Sequence, residues 1–427
     1  MNLIEKLVAW VKNKLSNKFI QNLGWLGGAQ AISRVSRLFT TVVLARYLTP
    51  EDFGLAALVL TTYEFTNILS AFGIGAKVIQ AKEEELDDIC NGAYWLNWLV
   101  FLGLFVLQCL ASFPIAWFYG NNRLILPICV LSIVYLESPI GRIQSVLIMR
   151  ENRLKVTAFS QALTLTTSNI LSAIFALSGM GMWSIVAPKL VSPLIVVSVY
   201  LKYHPWRPSG GFTTKYWGDI FSFGVNFLGI NMLKVLRNNL DYLIIARFVS
   251  IEELGLYYFA FNSGLGISLN IMQSITVALY PHLCAVRDDF SKFKKTYFSS
   301  VKTIATIIIP FVILQSSLAP FYVPIIFGPE WVARGALPIL ILICLSAIPR
   351  PFDISAAQLL AAIDKPHLSL RWNLIFTGIF TVGLLIGVQW QAIGVAIAVL
   401  VTHVVALPCF VVWAIWYVFY RRQENFT

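Results

Sequence analysis

Ala45-Arg46-Tyr47-Leu48-Thr49-Pro50-Glu51-Asp52-Phe53-Gly54-Leu55 returns 201 residues later as Ala246-Arg247-Phe248-Val249-Ser250-Ile251-Glu252-Glu253-Leu254-Gly255-Leu256. Five of these eleven positions are identical, five are similar, and only Pro50/Ile251 differs in kind. A weaker echo pairs Leu126-Pro127-Ile128 with Leu337-Pro338-Ile339, and a third pairs the stretch from Gln144 to Leu154 with that from Gln358 to Leu368. The offset grows to 211 and then 214, as loop insertions would cause. The chain is read as a duplication.

Outward from each copy the sequence runs in long apolar stretches. Hydrophobic residues make up 58% of 427 and charged residues only 12%, where a soluble domain carries about 25% charged. A bilayer core needs roughly 20 apolar helical residues to cross. Spans are expected at 20–47, 54–80, 90–118, 124–149, 155–177, 182–203, 218–248, 254–283, 301–327, 336–363, 368–388 and 391–420. That is an all-α polytopic membrane protein of about twelve transmembrane helices, six to each repeat. Six is even, so both halves enter from the same side and the repeat is parallel, a transporter architecture with the substrate cavity between the bundles. The expected layout is an N-terminal lobe at 20–203, a linker at 204–217 containing Pro205, Pro208, Gly210 and Gly211, a C-terminal lobe at 218–420, and a tail at 421–427. Residues 1–19 read as an amphipathic helix for the lipid interface, with Lys6, Lys14 and Lys18 off its apolar face. They show no apolar core or small-residue cleavage site of a signal peptide.

Basic residues fall 21 to one set of alternating loops and 4 to the other, the latter being Arg46, Arg123, Arg247 and Arg334. Such asymmetry places both termini in the cytoplasm. It also explains the formal net charge of +11 without nucleic acid, because the cations sit at span ends. The outer loops are short, so no extracytoplasmic domain is expected. The six cysteines show no metal spacing and read as buried apolar thiols. There is no Walker A loop, and the four histidines form no cluster; His403 reads as a packed, hydrogen-bonded residue. No cofactor and no metal are expected.

The acidic pair Glu51-Asp52 opens an enzyme reading, since polytopic glycosyltransferases carry acids in their first outer loop. Its recurrence as Glu252-Glu253 favours a helix start instead: hydroxyl caps at Thr49 and Ser250, acids in the first turn, and reciprocal capping three residues on.

Seven cations fall inside expected spans: Arg34, Arg37, Arg142, Lys189, Lys234, Arg237 and Arg350. The acids there are Glu64, Glu137, Asp241 and Asp353. Seven cations facing lipid would cost on the order of 20 kcal/mol, so they are expected to face a wet interior. Internal pairing of Arg237 with Asp241, Arg350 with Asp353, and others with Glu64 or Glu137 accounts for some of them. It leaves a surplus of cations, which suits an anionic cargo, and the planar guanidinium suits phosphate oxygens. Arg34, Arg37, Lys234, Arg237, Arg142 and Arg350 are the candidate substrate contacts. Glu64, Glu137, Asp241 and Asp353 are candidate ion-coupling groups or salt-bridge partners.

The segment Leu44–Gly54, its echo at Ile245–Gly255, Phe327-Gly328-Pro329-Glu330-Trp331 and Leu359–Pro366 resemble the polysaccharide exporter and O-antigen flippase branch of the multidrug/oligosaccharidyl-lipid/polysaccharide transporter superfamily. The resemblance covers nearly the whole chain. It implies two six-helix lobes in a V, a multi-pass protein of the bacterial inner membrane, and flipping of undecaprenyl-diphosphate-linked oligosaccharide with cavity arginines holding the diphosphate. It also implies membrane lipids and polysaccharide polymerase or export machinery as partners, and coupling to an ion gradient whose ion no motif names. The alternatives are a multidrug antiporter of the same fold, which needs an acidic cavity, and a membrane glycosyltransferase or polymerase.

Overall fold

The computed structural model describes residues 18–70, 74–214, 216–265 and 279–421. Among them all regular structure is helical. The first repeat runs through α1 (Lys18–Tyr47), α2 (Pro50–Ile68), α3 (Ile74–Gln80), α4 (Leu86–Tyr119), α5 (Ile125–Ser132), α6 (Val134–Arg150), α7 (Leu154–Leu177), α8 (Trp183–Val186) and α9 (Pro188–Tyr203). The second runs through α10 (Trp217–Phe248), α11 (Ile251–Ala260), α12 (Leu279–Cys284), α13 (Phe290–Tyr322), α14 (Pro329–Ala333), α15 (Ala336–Leu345), α16 (Arg350–Ala362), α17 (Pro366–Gly387) and α18 (Gln391–Trp416). Helices α2, α9, α14 and α17 open on proline, whose missing N–H would have no intrahelical partner there. Helix α4 stops at Gly120, which takes φ 65° and returns its N–H to Ala116 and Trp117 carbonyls.

Six stretches among the described residues are long and apolar enough to cross a bilayer, the last of them, Pro366–Tyr420, holding two expected spans on α17 and α18. The five remaining expected spans fall on α1, on α2 with α3, on α7, on α10, and on α11 with α12. These are the more polar ones. They carry Arg34 and Arg37, Glu64, the Thr/Ser run of α7, and Lys234, Arg237 and Asp241. The chain is an all-α polytopic membrane protein, and this element order is consistent with twelve crossings. The expected interfacial helix and the C-terminal tail lie almost wholly outside the described residues.

Two compact units divide the chain. One takes the described residues up to Leu48 and Val59–Val235; the other takes Thr49–Leu58 and the described residues from Leu236. Helices α2 and α10 are continuous yet shared between them. In the first unit α1 packs along α7, α7 on α9, α9 on α6, and α6 on α4. In the second, α17 packs on α18, α18 on α15 and α16, and α15 on α11 and α13.

The 204–217 segment is stitched to the first unit rather than loose. Asn91 donates to the Gly211 carbonyl (3.2 Å), Gln144 to that of Trp206 (3.1 Å), and the Trp217 indole to that of Gly92 (3.0 Å). Phe212 meets Trp95 and Trp217 edge-on. Arg150 closes the C-terminal end of α3 by donating to the carbonyls of Val78, Ile79 and Ala81 and pairing with Glu83 at 2.7 Å. Cys90 and Cys344 are buried thiols. Cys109 and Cys129 are only partly buried and meet serines across α4 and α5, Cys109 with Ser132 at 3.2 Å and Cys129 with Ser112 at 3.3 Å, the kind of polar contact that joins helices in lipid.

Within the second unit the duplicated segments lie on each other. A Cβ built on Gly54 would fall 1.9 Å from the Ile251 carbonyl oxygen, and one on Gly255 1.7 Å from that of Pro50. Each glycine therefore rests on the first residue of the other copy's helix. Phe53 meets Trp331 edge-on at 5.4 Å, and Trp331 stacks on Phe259 at 3.9 Å.

Candidate functional site

The acidic pairs act at helix starts. Asp52 accepts the backbone N–H of Thr49 at 3.1 Å and its hydroxyl at 2.8 Å, while Thr49 accepts the N–H of Asp52 at 3.2 Å. Ser250 likewise accepts from Glu253 N–H at 3.1 Å. The second copy departs from reciprocity. Glu253 turns its carboxylate to the N–H of Ala392 (3.3 Å) at the start of α18, and Glu252 pairs with Arg334 at 3.0 Å. All four acids stand where helix termini favour negative charge.

The intramembrane charges form one set in each unit. In the first unit Arg34 and Arg37 project from an exposed face of α1. That helix is held to α7 by Asn169, which donates to the Ser36 hydroxyl at 2.8 Å and accepts from Thr40 on its carbonyl at 3.0 Å. Arg37 and Glu64 lie within electrostatic reach of Lys189. Glu64, Glu137 and Arg142 lie within reach of Tyr63, and Tyr200 joins them beside Arg142. One polar run thus links α1, α2, α6 and α9. Tyr63 is stacked on the fully buried Tyr135 at 5.5 Å, which fixes its ring beside the charges. Lys234, exposed on α10, belongs to this unit as well.

In the second unit Arg237, Arg350, Asp241 and Asp353 come together. Asp353 senses both arginines, and Arg350 lies near Asp241, Tyr257 and Tyr242. Among the described residues the expected Arg237–Asp241 and Arg350–Asp353 ion pairs do not close. Asp241 is 5% exposed and turned into α11, where it accepts the Tyr257 hydroxyl at 2.7 Å; it also accepts the Tyr242 N–H at 3.0 Å. Arg237 turns to α17, donates to the side-chain oxygen of Asn373, and sets its guanidinium 6.0 Å from the Phe376 ring centre. A cation four residues before an acid is the weaker helical order, and the tyrosine and the amide each offer a neutral alternative. Among the described residues the buried Nε of Arg350 has no hydrogen-bond partner, and neither has Oε2 of Glu137. His403 is packed: buried, bonded through Nδ1 to the Val399 carbonyl at 2.7 Å, and set edge-on to Phe376 and Phe380.

The inventory is uneven. Five of the seven cations stand in the first unit against Glu64 and Glu137; two stand in the second against Asp241 and Asp353. The surplus over carboxylates is carried by the first unit. Asn373, Tyr63, Tyr257 and Phe376 carry no charge at neutral pH, and a census of charges does not reveal them. An asparagine two residues past Arg371, at the start of the span expected at 368–388, was the signal for the first of them.

Just beyond α6, Glu151 accepts from Arg153 (3.1 Å) and meets His204 (3.2 Å). Burial alone would push its carboxyl up, but the hydrogen bonds from Arg153 and His204 outweigh that and hold it below the usual carboxylate range.

Residues 43–334 match the family described as polysaccharide biosynthesis protein. The chain is similar to lipopolysaccharide biosynthesis protein WzxC of Escherichia coli (strain K12), 25% identical over 405 residues, or 92% of this chain and 80% of that one. In fold it is similar to lipid II flippase MurJ in its inward closed conformation, with TM-score 0.73 at 14% identity, covering 91% of this chain and 87% of MurJ. It is also similar to an inward-facing multidrug resistance MATE family transporter of the MOP superfamily, with TM-score 0.70 at 12% identity over 90% and 94% of the two chains. At such identities the likeness is one of fold. The residues quoted above as carrying the exporter resemblance lie largely inside the matched region.

Proposed function

The chain belongs to the polysaccharide biosynthesis protein family, and we propose that it is a flippase for polyprenyl-diphosphate-linked oligosaccharide in the bacterial inner membrane. The observation that carries the reading is the surplus of intramembrane cations, concentrated on Arg34, Arg37, Arg142, Lys189 and Lys234. An anionic headgroup is the cargo that such a surplus selects, and a lipid tail can stay in the bilayer while the head is held. MurJ, which shares the fold, is a lipid II flippase, and WzxC is a lipopolysaccharide biosynthesis protein. In this reading two six-helix lobes, 20–203 and 218–420, rock about the bound headgroup with both termini in the cytoplasm. Arg34 and Arg37 meet the diphosphate first, and guanidinium forks grip its oxygens. Undecaprenyl diphosphate is the carrier lipid, and Glu64, Glu137, Asp241 and Asp353 are the groups available for ion coupling.

The test is surface glycan in cells carrying Arg34→Ala and Arg37→Ala together. Export should be lost while the protein stays in the membrane at its normal level. Normal surface glycan in that variant would sink the assignment, and resistance to cationic drugs conferred by the wild type would point to the antiporter instead.

A further inference from the structure

We propose that Asn373 is a positioning residue that holds the Arg237 guanidinium for an anionic headgroup through a neutral acceptor, adding no negative charge beside it; the proposal rests on the flippase reading. Arg237 has Asp241 four residues away on its own helix, yet that carboxylate is occupied by the Tyr257 hydroxyl and the Tyr242 N–H. Arg237 is gripped instead by a neutral amide oxygen and a ring face. The amide has only one way to face. Its Nδ2 donates to the Ser369 carbonyl at 2.9 Å, so its oxygen must be the atom turned to Arg237. The ring is held in turn, because His403 stands edge-on to Phe376 at 5.4 Å and is itself tied to the Val399 carbonyl at 2.7 Å. An amide orients a guanidinium without neutralising it, and a guanidinium has five N–H donors, so others remain for phosphate oxygens.

Aspartate separates positioning from mere packing. It has the shape of asparagine, and although it gives up the Nδ2–H donated to the Ser369 carbonyl, it accepts from arginine more strongly, because the bond becomes charge-assisted and outweighs the lost neutral one. A structural role therefore ranks Asn373→Asp nearest to wild type and Asn373→Ala worst. The positioning role ranks them the other way for ligand binding. The second unit holds Arg237 and Arg350 against Asp241 and Asp353, and a fifth charge at 373 tips that balance negative.

The experiment uses the full chain in lipid nanodiscs, with farnesyl diphosphate as the probe and thermal unfolding read on the same samples. N373D should unfold no earlier than wild type yet bind about tenfold more weakly or worse, while N373A should unfold earlier and lose about threefold. Adding Asp353→Asn to N373D removes the extra charge and should return most of the binding. Binding of N373D within about twofold of wild type, a larger loss in N373A than in N373D, or no recovery in the double variant would overturn the proposal alone. Failure of the wild type itself to bind farnesyl diphosphate would overturn the flippase reading and this proposal together.

Discussion

The substitutions Gly54→Ala and Gly255→Ala test the contact between the duplicated segments. The Cβ added at position 54 would lie 1.9 Å from the Ile251 oxygen and that added at position 255 would lie 1.7 Å from the Pro50 oxygen, where real Cβ contacts stay beyond 3.0 Å. The two backbones must therefore part by about 1.1 Å for the first change and about 1.3 Å for the second. Helix propensity by itself favours alanine over glycine by about 1 kcal/mol. Overpacking of a tight contact costs about 1–3 kcal/mol, so each single variant should lose about 0–2 kcal/mol net. The geometry makes a sharper claim about the pair. Both clashes are relieved by one and the same parting of the backbones, so the double variant carries that cost once and the propensity gain twice, and should be about 1 kcal/mol more stable than either single. The coupling in a double-mutant cycle should then be about 1–3 kcal/mol in the favourable direction, the size of the shared clash. Unfolding in SDS titrations of the purified protein measures all four corners. Strictly additive losses, or a double variant as stable as a pure propensity gain predicts, would refute the reciprocal contact.

Two further outcomes follow from the contacts of Arg150 and Glu151. Arg150→Ala leaves the carbonyls of Val78, Ile79 and Ala81 without their donor; it should cost about 1–3 kcal/mol and speed hydrogen exchange in residues 78–85 while leaving the rest of the chain protected. The Glu151 carboxyl is held below its ordinary range by Arg153 and His204 against its own desolvation, so its contribution is present above the unfolded carboxylate pKa and lost as pH falls through the folded one. Melting curves from pH 7 down to about 3 should show that loss in wild type and a smaller one in Glu151→Gln, and an identical acid dependence in the two would contradict it.

Much of the architecture could be read before any coordinates. The echo of Ala45–Leu55 at Ala246–Leu256 and the spacing of apolar runs located helices that, among the described residues, agree with the structure within a few residues at most ends, while α13 starts at Phe290, well before the span expected at 301–327. The hydroxyl caps at Thr49 and Ser250 sit where the pattern put them. What could not be read was rotation. Arg237 and Asp241 are four residues apart, so the sequence places them on one face, but it does not say that α11 and α17 stand on either side and draw the two apart. For the same reason Asn373 stayed hidden, since its importance comes from the arginine it faces on another helix. The stretch 204–217 carries the prolines and glycines of a tether, yet its aromatic residues dock it onto α4, and no local pattern distinguishes those two roles. The charge surplus was legible as a total, whereas its concentration in one unit depends on how distant helices group.

The division of α2 has a consequence for how the chain is made. Thr49–Leu58 is synthesised with the first repeat but completes the second unit, where Phe53 waits for Tyr258, Phe259 and Trp331. Chains fold as they emerge, N-terminal parts first. This short segment is therefore inserted roughly 200 residues before the surface that receives it exists. Its apolar side chains can rest in lipid during that interval, which a soluble protein could not offer them. A ribosome that stops at the junction near residue 210 would release the first repeat without the stretch of α10 up to Val235 that its unit requires, and with the opening turns of α2 still addressed to a partner never translated.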